Sequence, residues 1–312
     1  MQWQPLSNIE ILKRLEIPAA DSGKVLDMVL DTDTYNEVDD QFALCYALCS
    51  PERLNVQAVY AAPFFNDRSN GPEQGMERSY DEIVRLLGKM GHPTENFVFK
   101  GSRDYLKDMD TPQDSPAARN LVACGMARPD DDPLYVVAIG AITNVASALI
   151  MEPRLARKII VVWLGGNSLT YPHTREFNLM QDVPAARTVL DSGVPFILVP
   201  CMGVASHLLT SVPELQACIG GKNELCDTLI DILMGYNDDH FAWGKEIWDI
   251  STIAMLINPD WEPTTIEPSP LLSDDCHWSR DARRHPIKVA YFAYRNPIFR
   301  DMFKKLAAFK KA

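Results

Sequence analysis

Five acidic side chains fall within ten residues of this chain: Asp31, Asp33, Glu37, Asp39 and Asp40. Around them the sequence reads Val-Leu-Asp-Thr-Asp-Thr-Tyr-Asn-Glu-Val-Asp-Asp over 29–40. Carboxylates crowded this closely repel one another unless a cation sits among them. A hard divalent cation bound through oxygen is the natural occupant. Asp in a first helical turn also complements the helix macrodipole. That role accounts for Asp39 and Asp40 at most, and leaves the others unexplained. Three later segments carry similar chemistry: Ile139-Gly140 ahead of Thr143-Asn144, Glu176-Phe177-Asn178 after Gly165-Gly166, and Trp248-Asp249. Singly, Asp249 reads as an N-cap before an apolar run, and Glu176 with Asn178 as loop polarity. Together they suggest one site.

The elements that must position these groups follow from periodicity. The apolar run 25–30 predicts a buried strand ending at Asp31, and apolar residues at helical spacing from 38 predict the next helix. Further strands are expected at 54–61, 97–99, 134–139, 158–164, 196–199 and 287–293. Helices are expected at 9–15, 76–90, 116–126, 145–150, 184–190, 214–219, 224–234, 250–256 and 298–309. Pro116 suits the first position of its helix, where the missing N–H costs nothing. Strands too continuously apolar for a one-sided sheet, alternating with helices, predict a parallel sheet covered on both faces. The expected fold class is therefore α/β: a single-domain, open, mostly parallel sheet with helices on both faces and a helix-rich C-terminal third. One domain spans 1–312, with 1–23 as a leader segment and 202–285 as a helix-rich region over the site. Each chemical segment then lies at or just past the end of a strand, the edge where open α/β sheets bind ligands.

Composition narrows the function classes. At 312 residues the chain can bury a large core. A net charge of −12 argues against nucleic acid as the main partner, since phosphate binding needs clustered Lys and Arg. No apolar run approaches a membrane span, and 1–20 lacks the apolar stretch of a signal peptide. The seven cysteines form no CxxC pair, a pattern that fits free thiols in a cytoplasmic protein.

The order Asp31-x-Asp33, Asp39-Asp40, Gly140-x-x-Thr143-Asn144, Gly165-Gly166, Glu176-Phe177-Asn178 and Asp249 resembles the inosine–uridine nucleoside hydrolase family over about 25–259. The resemblance implies an open α/β fold holding one Ca²⁺ at the bottom of a ribose pocket. It further implies hydrolysis of the N-glycosidic bond of a nucleoside or related N-riboside to free base and ribose. By position it makes Asp33, Asp40 and Asp249 side-chain ligands of calcium, with the carbonyl of Ile139 completing the protein set. Asp33 would also be the general base. Asp39, Asn66 and Asn178 would meet ribose hydroxyls, and Glu176 the 5′-hydroxyl. A homodimer or homotetramer is the implied assembly.

Two departures accompany the resemblance. The family's Asp-x-Asp-Pro-Gly-x-Asp-Asp becomes a longer motif here, with Thr34-Tyr35-Asn36-Glu37-Val38 in place of three residues. Asn36 and Glu37 are thus candidate new contacts. Where well-known members carry a leaving-group His before the last metal Asp, this chain has Trp248, an aromatic that can stack on a base. His240 is the candidate acid nearest in sequence. Two other readings compete: a nucleoside- or ribose-binding protein with little turnover, and a haloacid dehalogenase-type phosphatase with Asp31 as nucleophile. Tyr35 stands where that phosphatase motif wants Thr or Val.

Overall fold

The computed structural model describes Trp3 and residues 5–311. Residues 1, 2 and 4 of the expected leader, and residue 312, lie outside the described residues. Ser7 opens α1 (Asn8–Arg14) with a reciprocal cap: its hydroxyl accepts from the Glu10 N–H, and the Glu10 carboxylate accepts from the Ser7 N–H at 2.9 Å. That pairing satisfies two donors left free at any helix start.

The α/β core then alternates β1 (Leu26–Thr32), α2 (Asp39–Leu48), β2 (Leu54–Ala61), α3 (Pro72–Met90), β3 (Val98–Lys100) and α4 (Pro116–Met126). It continues with β4 (Leu134–Ala138), α5 (Thr143–Met151), β5 (Ile159–Leu164), α6 (Phe177–Gln181), α7 (Val183–Asp191) and β6 (Phe196–Val199). The last third holds β7 (Leu209–Thr210), α8 (Val212–Ile219), α9 (Glu224–Met234), β8 (Lys245–Glu246) and α10 (Ile250–Ile257). It ends with β9 (Thr264–Pro268), β10 (Leu271–Leu272), β11 (Trp278–Ser279), β12 (Pro286–Ala290) and α11 (Arg295–Ala308). Among the described residues no helix is long and apolar enough to cross a membrane.

Eight strands form one sheet in the order β3-β2-β1-β4-β5-β6-β12-β9. All neighbours are parallel except β9, which runs antiparallel to β12. From β1 the chain winds outward to β3, then returns to lay β4 on β1's other side, with Asp31 in register with Ala138. Loops leaving the carboxyl ends of β1 and β4 therefore diverge, and the crevice between them is the topological switch point. Both sheet faces are covered, as the continuous apolar strands imply. Met28, Leu30, Val137 and Val162 point into one core with helices α2, α3, α10 and α11, whereas Val29, Val136, Val161 and Trp163 point into the other with α4, α5 and α7.

The C-terminal third carries helices α8, α9 and α10, but also the edge strand β9 and the short pairs β7–β8 and β10–β11. These strands are absent from the sequence expectation. β9 is a five-residue edge strand, Thr-Thr-Ile-Glu-Pro, with no residue fully buried. Such a strand shows neither an apolar run nor clean alternation. All seven cysteines are free thiols, with Cys45 buried and Cys49 half-buried.

Candidate functional site

The first motif turns sharply as it leaves β1. The Asn36 N–H donates to the Asp33 carbonyl at 2.7 Å, and Thr32 Oγ1 donates to Asp40 Oδ1 at 2.5 Å. Val38 caps α2 without a side-chain hydrogen bond, so Asp39 and Asp40 in its first turn are free to face the crevice. Asp249, immediately before α10, comes up to them from the far side. One carboxylate oxygen from each of Asp39, Asp40 and Asp249 lies within 4.8 Å of the others. All three residues are buried, and so is Asp33, whose two carboxylate oxygens have no hydrogen-bond partner among the described residues.

A cleft at this point is lined by Asp33, Asp39, Asp40, Ile139, Asn178 and Asp249, with Asn36, Glu37, Leu164, Glu176, Phe177, Cys201 and Trp248 completing its wall. Burial, followed by the neighbouring Asp39, pushes the Asp40 carboxyl up to about 8. Burial, with Glu37 adding and Lys245 opposing, pushes Asp39 to about 7. Burial and mutual repulsion hold Asp33 and Asp249 well above the ordinary carboxylate range. Four such groups coexist either by keeping protons or by sharing a cation. The orphaned oxygens of Asp33 and the all-oxygen donor set suit a hard divalent ion.

The supporting residues explain the Gly and Asn signals. A Cβ on Gly140 would stand 3.0 Å from Asp33 Cγ and 3.2 Å from the Ala62 Cβ, so a bare backbone there lets Asp33 occupy its place. Asn144 Oδ1 accepts from both the N–H and the hydroxyl of Ser102 at 2.8 Å, and its Nδ2 donates to Asp31 Oδ1 at 2.8 Å. Asp31 itself is fully buried and does not line the cleft. A phosphatase nucleophile needs access that Asp31 lacks, which removes that reading.

Glu176 caps α6. Its carboxylate accepts N–H groups from Gly166 at 2.7 Å, Asn178 at 2.9 Å and Leu179 at 3.1 Å, which hold it rigidly against the cleft. Burial nonetheless raises its pKa, with those N–H groups opposing. Asn178 Nδ2 donates to the carbonyls of Leu164 at 3.0 Å and Ile139 at 3.3 Å. That carbonyl of Ile139, expected to face a metal, therefore already accepts one hydrogen bond.

Two positions differ from expectation. Asp39, expected at the ribose, lines the cleft and also stands in the close trio with Asp40 and Asp249, and Asp33 lines the same cleft. Asn66, expected at the ribose, does not line the cleft: its Nδ2 donates to Asn36 Oδ1 at 2.7 Å, and Asn36 takes the wall position. Asn36 belongs to the lengthened loop, so that loop supplies the wall residue to which Asn66 is tied. His240, the candidate acid, also lies outside the lining. Its Nε2 meets the Met234 carbonyl at 3.0 Å and its ring packs on Trp243 with centroids 5.6 Å apart.

Two residues escape a reading of the sequence. Cys201 lines the cleft just past β6, at the sheet edge where ligands bind; its address was the available signal. Lys245, only 6% exposed, pairs with Glu37 and holds its ammonium 4.3 Å from the Trp248 ring centroid. Burial lowers the pKa of that ammonium, but Asp39 and Glu37 more than offset it, so it is held above its ordinary value. No sequence signal marked it: the alternation in which Lys245, Ile247 and Asp249 are buried and Glu246 and Trp248 partly exposed belongs to the fold.

A family model described as inosine-uridine preferring nucleoside hydrolase matches residues 28–291. The pyrimidine-specific ribonucleoside hydrolase RihA of Klebsiella pneumoniae (strain 342) is 26% identical over 269 residues, covering 78% of this chain and 82% of its own. RihA of Enterobacter sp. (strain 638) is 29% identical over 264 residues, covering 75% and 80%. The solved purine-preferring ribonucleoside hydrolase from Gardnerella vaginalis superposes with a TM-score of 0.73 at 20% identity, covering 91% of this chain and 98% of its own.

Proposed function

Since the chain belongs to the inosine–uridine preferring nucleoside hydrolase family, whose members are N-glycosyl hydrolases, we propose that it is a Ca²⁺-dependent hydrolase of a ribonucleoside or related N-riboside. The products are free base and ribose. The observation that carries this reading is the convergence of Asp33, Asp39, Asp40 and Asp249, all buried, with the oxygens of Asp33 unpartnered.

In this reading Asp33, Asp40 and Asp249 hold the cation with the Ile139 carbonyl, and Asp39 stands close enough to join them. When bound, such an ion lowers the pKa of a coordinated water and orders the ribose diol. Asp33 accepts the proton of the attacking water, its free oxygens leaving it available as a base. The surrounding carboxylates stabilise the positive charge of an oxocarbenium-like transition state. Asn178 binds a ring hydroxyl, Glu176 the 5′-hydroxyl, and Asn36 fills the wall position expected of Asn66. Relatives named as pyrimidine-specific and as purine-preferring both support a nucleoside without selecting its base. We extend the reading to the cytoplasm, which the free thiols support, and to a homodimer or homotetramer, as the family resemblance implies.

Elemental analysis and a nucleoside panel test the proposal together. Purified protein should contain about one calcium per chain, and added Ca²⁺ should raise the melting temperature, because ligand bound only to the folded state stabilises it. Asp40→Ala should abolish both effects and ribose release. Metal-free protein whose melting temperature ignores Ca²⁺ would remove calcium from the reading, and a panel without ribose release would remove hydrolysis.

A further inference from the structure

We propose that Cys201 is a specificity-determining residue at the 5′ end of the ribose, its thiol a placeholder on Glu176 that is released when a substrate's 5′-hydroxyl takes over that acceptor site. The inference rests on the hydrolase reading and deepens it at one position. Cys201 stands just past β6, is buried, and lines the cleft together with Glu176. Its side chain is one methylene and a sulfur, and the thiol hydrogen-bonds the Glu176 carboxylate. The two residues are also joined through the backbone. The Cys201 N–H donates to the Gly166 carbonyl at 2.9 Å, and the Gly166 N–H donates to Glu176 Oε2 at 2.7 Å. One glycine thus holds thiol and carboxylate in register.

The acceptor sites of Glu176 are nearly full. An ionised carboxylate offers about four lone-pair sites. Oε2 of Glu176 accepts from the N–H groups of Gly166 and Leu179, and Oε1 from that of Asn178. The thiol is the further donor that fills what remains. A 5′-hydroxyl that donates to Glu176 must therefore displace it. The backbone N–H groups are fixed by the fold, whereas an S–H turns about a single bond and is a weak donor. Burial, followed by the charge of Glu176, holds the thiol well above its ordinary pKa, so the sulfur keeps its hydrogen. The exchange gives Glu176 a stronger bond for a weaker one, since an O–H binds a carboxylate more tightly than an S–H does. A riboside without the 5′-hydroxyl leaves the thiol in place and gains nothing. The site therefore prefers ribosides with a free 5′-hydroxyl, and the strength of the placeholder sets by how much. A serine hydroxyl in its place would hold Glu176 harder and weaken the preference.

Two measurements on the full-length, calcium-loaded protein test this. In difference infrared spectra against Cys201→Ala, the Cys201 S–H stretching band should move to higher frequency when methyl β-ribofuranoside binds, because the thiol loses its charged acceptor. The 5-deoxy analogue should leave the band where it is. The preference for uridine over 5′-deoxyuridine, or for inosine over 5′-deoxyinosine, is read as a ratio of kcat/KM. That ratio should fall roughly fivefold in Cys201→Ser, the size of one hydrogen bond. In Cys201→Ala, with nothing to displace, it should be no lower than in wild type. A merely structural role would slow both members of a pair alike and leave every ratio unchanged. If the nucleosides are cleaved but the band stays put, or the ratio holds in Cys201→Ser or falls in Cys201→Ala, the placeholder role is overturned while riboside hydrolysis stands. If no riboside is bound or cleaved, the hydrolase reading falls and this inference with it. Should Cys201→Ala not fold, Cys201→Ser identifies the band, and the two ribofuranosides decide on wild type alone.

Discussion

At the scale of single residues, Asp33 is set apart from its neighbours by what it lacks. Asp40 accepts from Thr32 and Asp31 from Asn144, whereas neither Asp33 oxygen accepts from an N–H or a hydroxyl among the described residues, and its close neighbour is the Asp40 carboxyl. Asp33→Asn retains an oxygen for a cation and loses basicity. Turnover should fall by about 10²–10⁴-fold with riboside binding changed far less; a variant as fast as wild type would exclude Asp33 as the base. Glu262 is a second buried carboxyl, remote from this chemistry. It is 1% exposed, neither oxygen has a partner, and burial raises its pKa well above 4.5. Its folded form binds the proton more tightly than its unfolded form. Its contribution is thus intact below the unfolded value and becomes a penalty as pH rises past it. Glu262→Gln should melt higher than wild type at pH 8, with a gap that shrinks toward pH 5, at up to about 1.4 kcal/mol per pH unit. A pH-independent gap would show that Glu262 does not stay protonated in the fold.

Among elements, the lengthened loop 34–38 behaves as one half of a clasp. Its residues divide between two sides: the central Asn36 and Glu37 line the cleft, while the flanking Tyr35 and Val38 line a neighbouring cavity with Gln41, Arg68 and Arg85. Arg68 packs its guanidinium 4.7 Å from the Tyr35 ring centroid, which fixes the outer side. On the inner side β8 supplies Lys245, which ties Glu37 to the segment carrying Trp248 and Asp249. Removing one partner of a buried ion pair leaves the other charge uncompensated. Lys245→Met should lower stability by about 1–3 kcal/mol, read as the urea unfolding midpoint, and Lys245→Arg should recover much of it. An unchanged midpoint in Lys245→Met would mean that the loop holds its place without the clasp.

For the molecule as a whole, the sequence and the fold decided different things. Asp31, Asp33, Asp39, Asp40 and Gly140 could be placed at one sheet edge by strand and helix periodicity, the family resemblance joined Glu176, Asn178 and Asp249 to them, and all gather around the cleft or directly support it. The α/β architecture was equally legible, since strands covered on both faces must be apolar throughout, and β2, β6, α4 and α9 begin and end where their patterns do. β9 was not legible, because an exposed edge strand has no apolar face to show. Nor was the exchange of Asn66 for Asn36, or the withdrawal of His240 onto its own loop. Lys245, a buried cation beside the site, belongs with them. Periodicity reports which face of its own element a residue occupies. Which groups meet across the crevice depends on how loops of particular lengths pack against each other, and those contacts join residues as far apart as Glu37 and Lys245. Local pattern thus determined the address of the chemistry, and only tertiary packing decided which side chains line it.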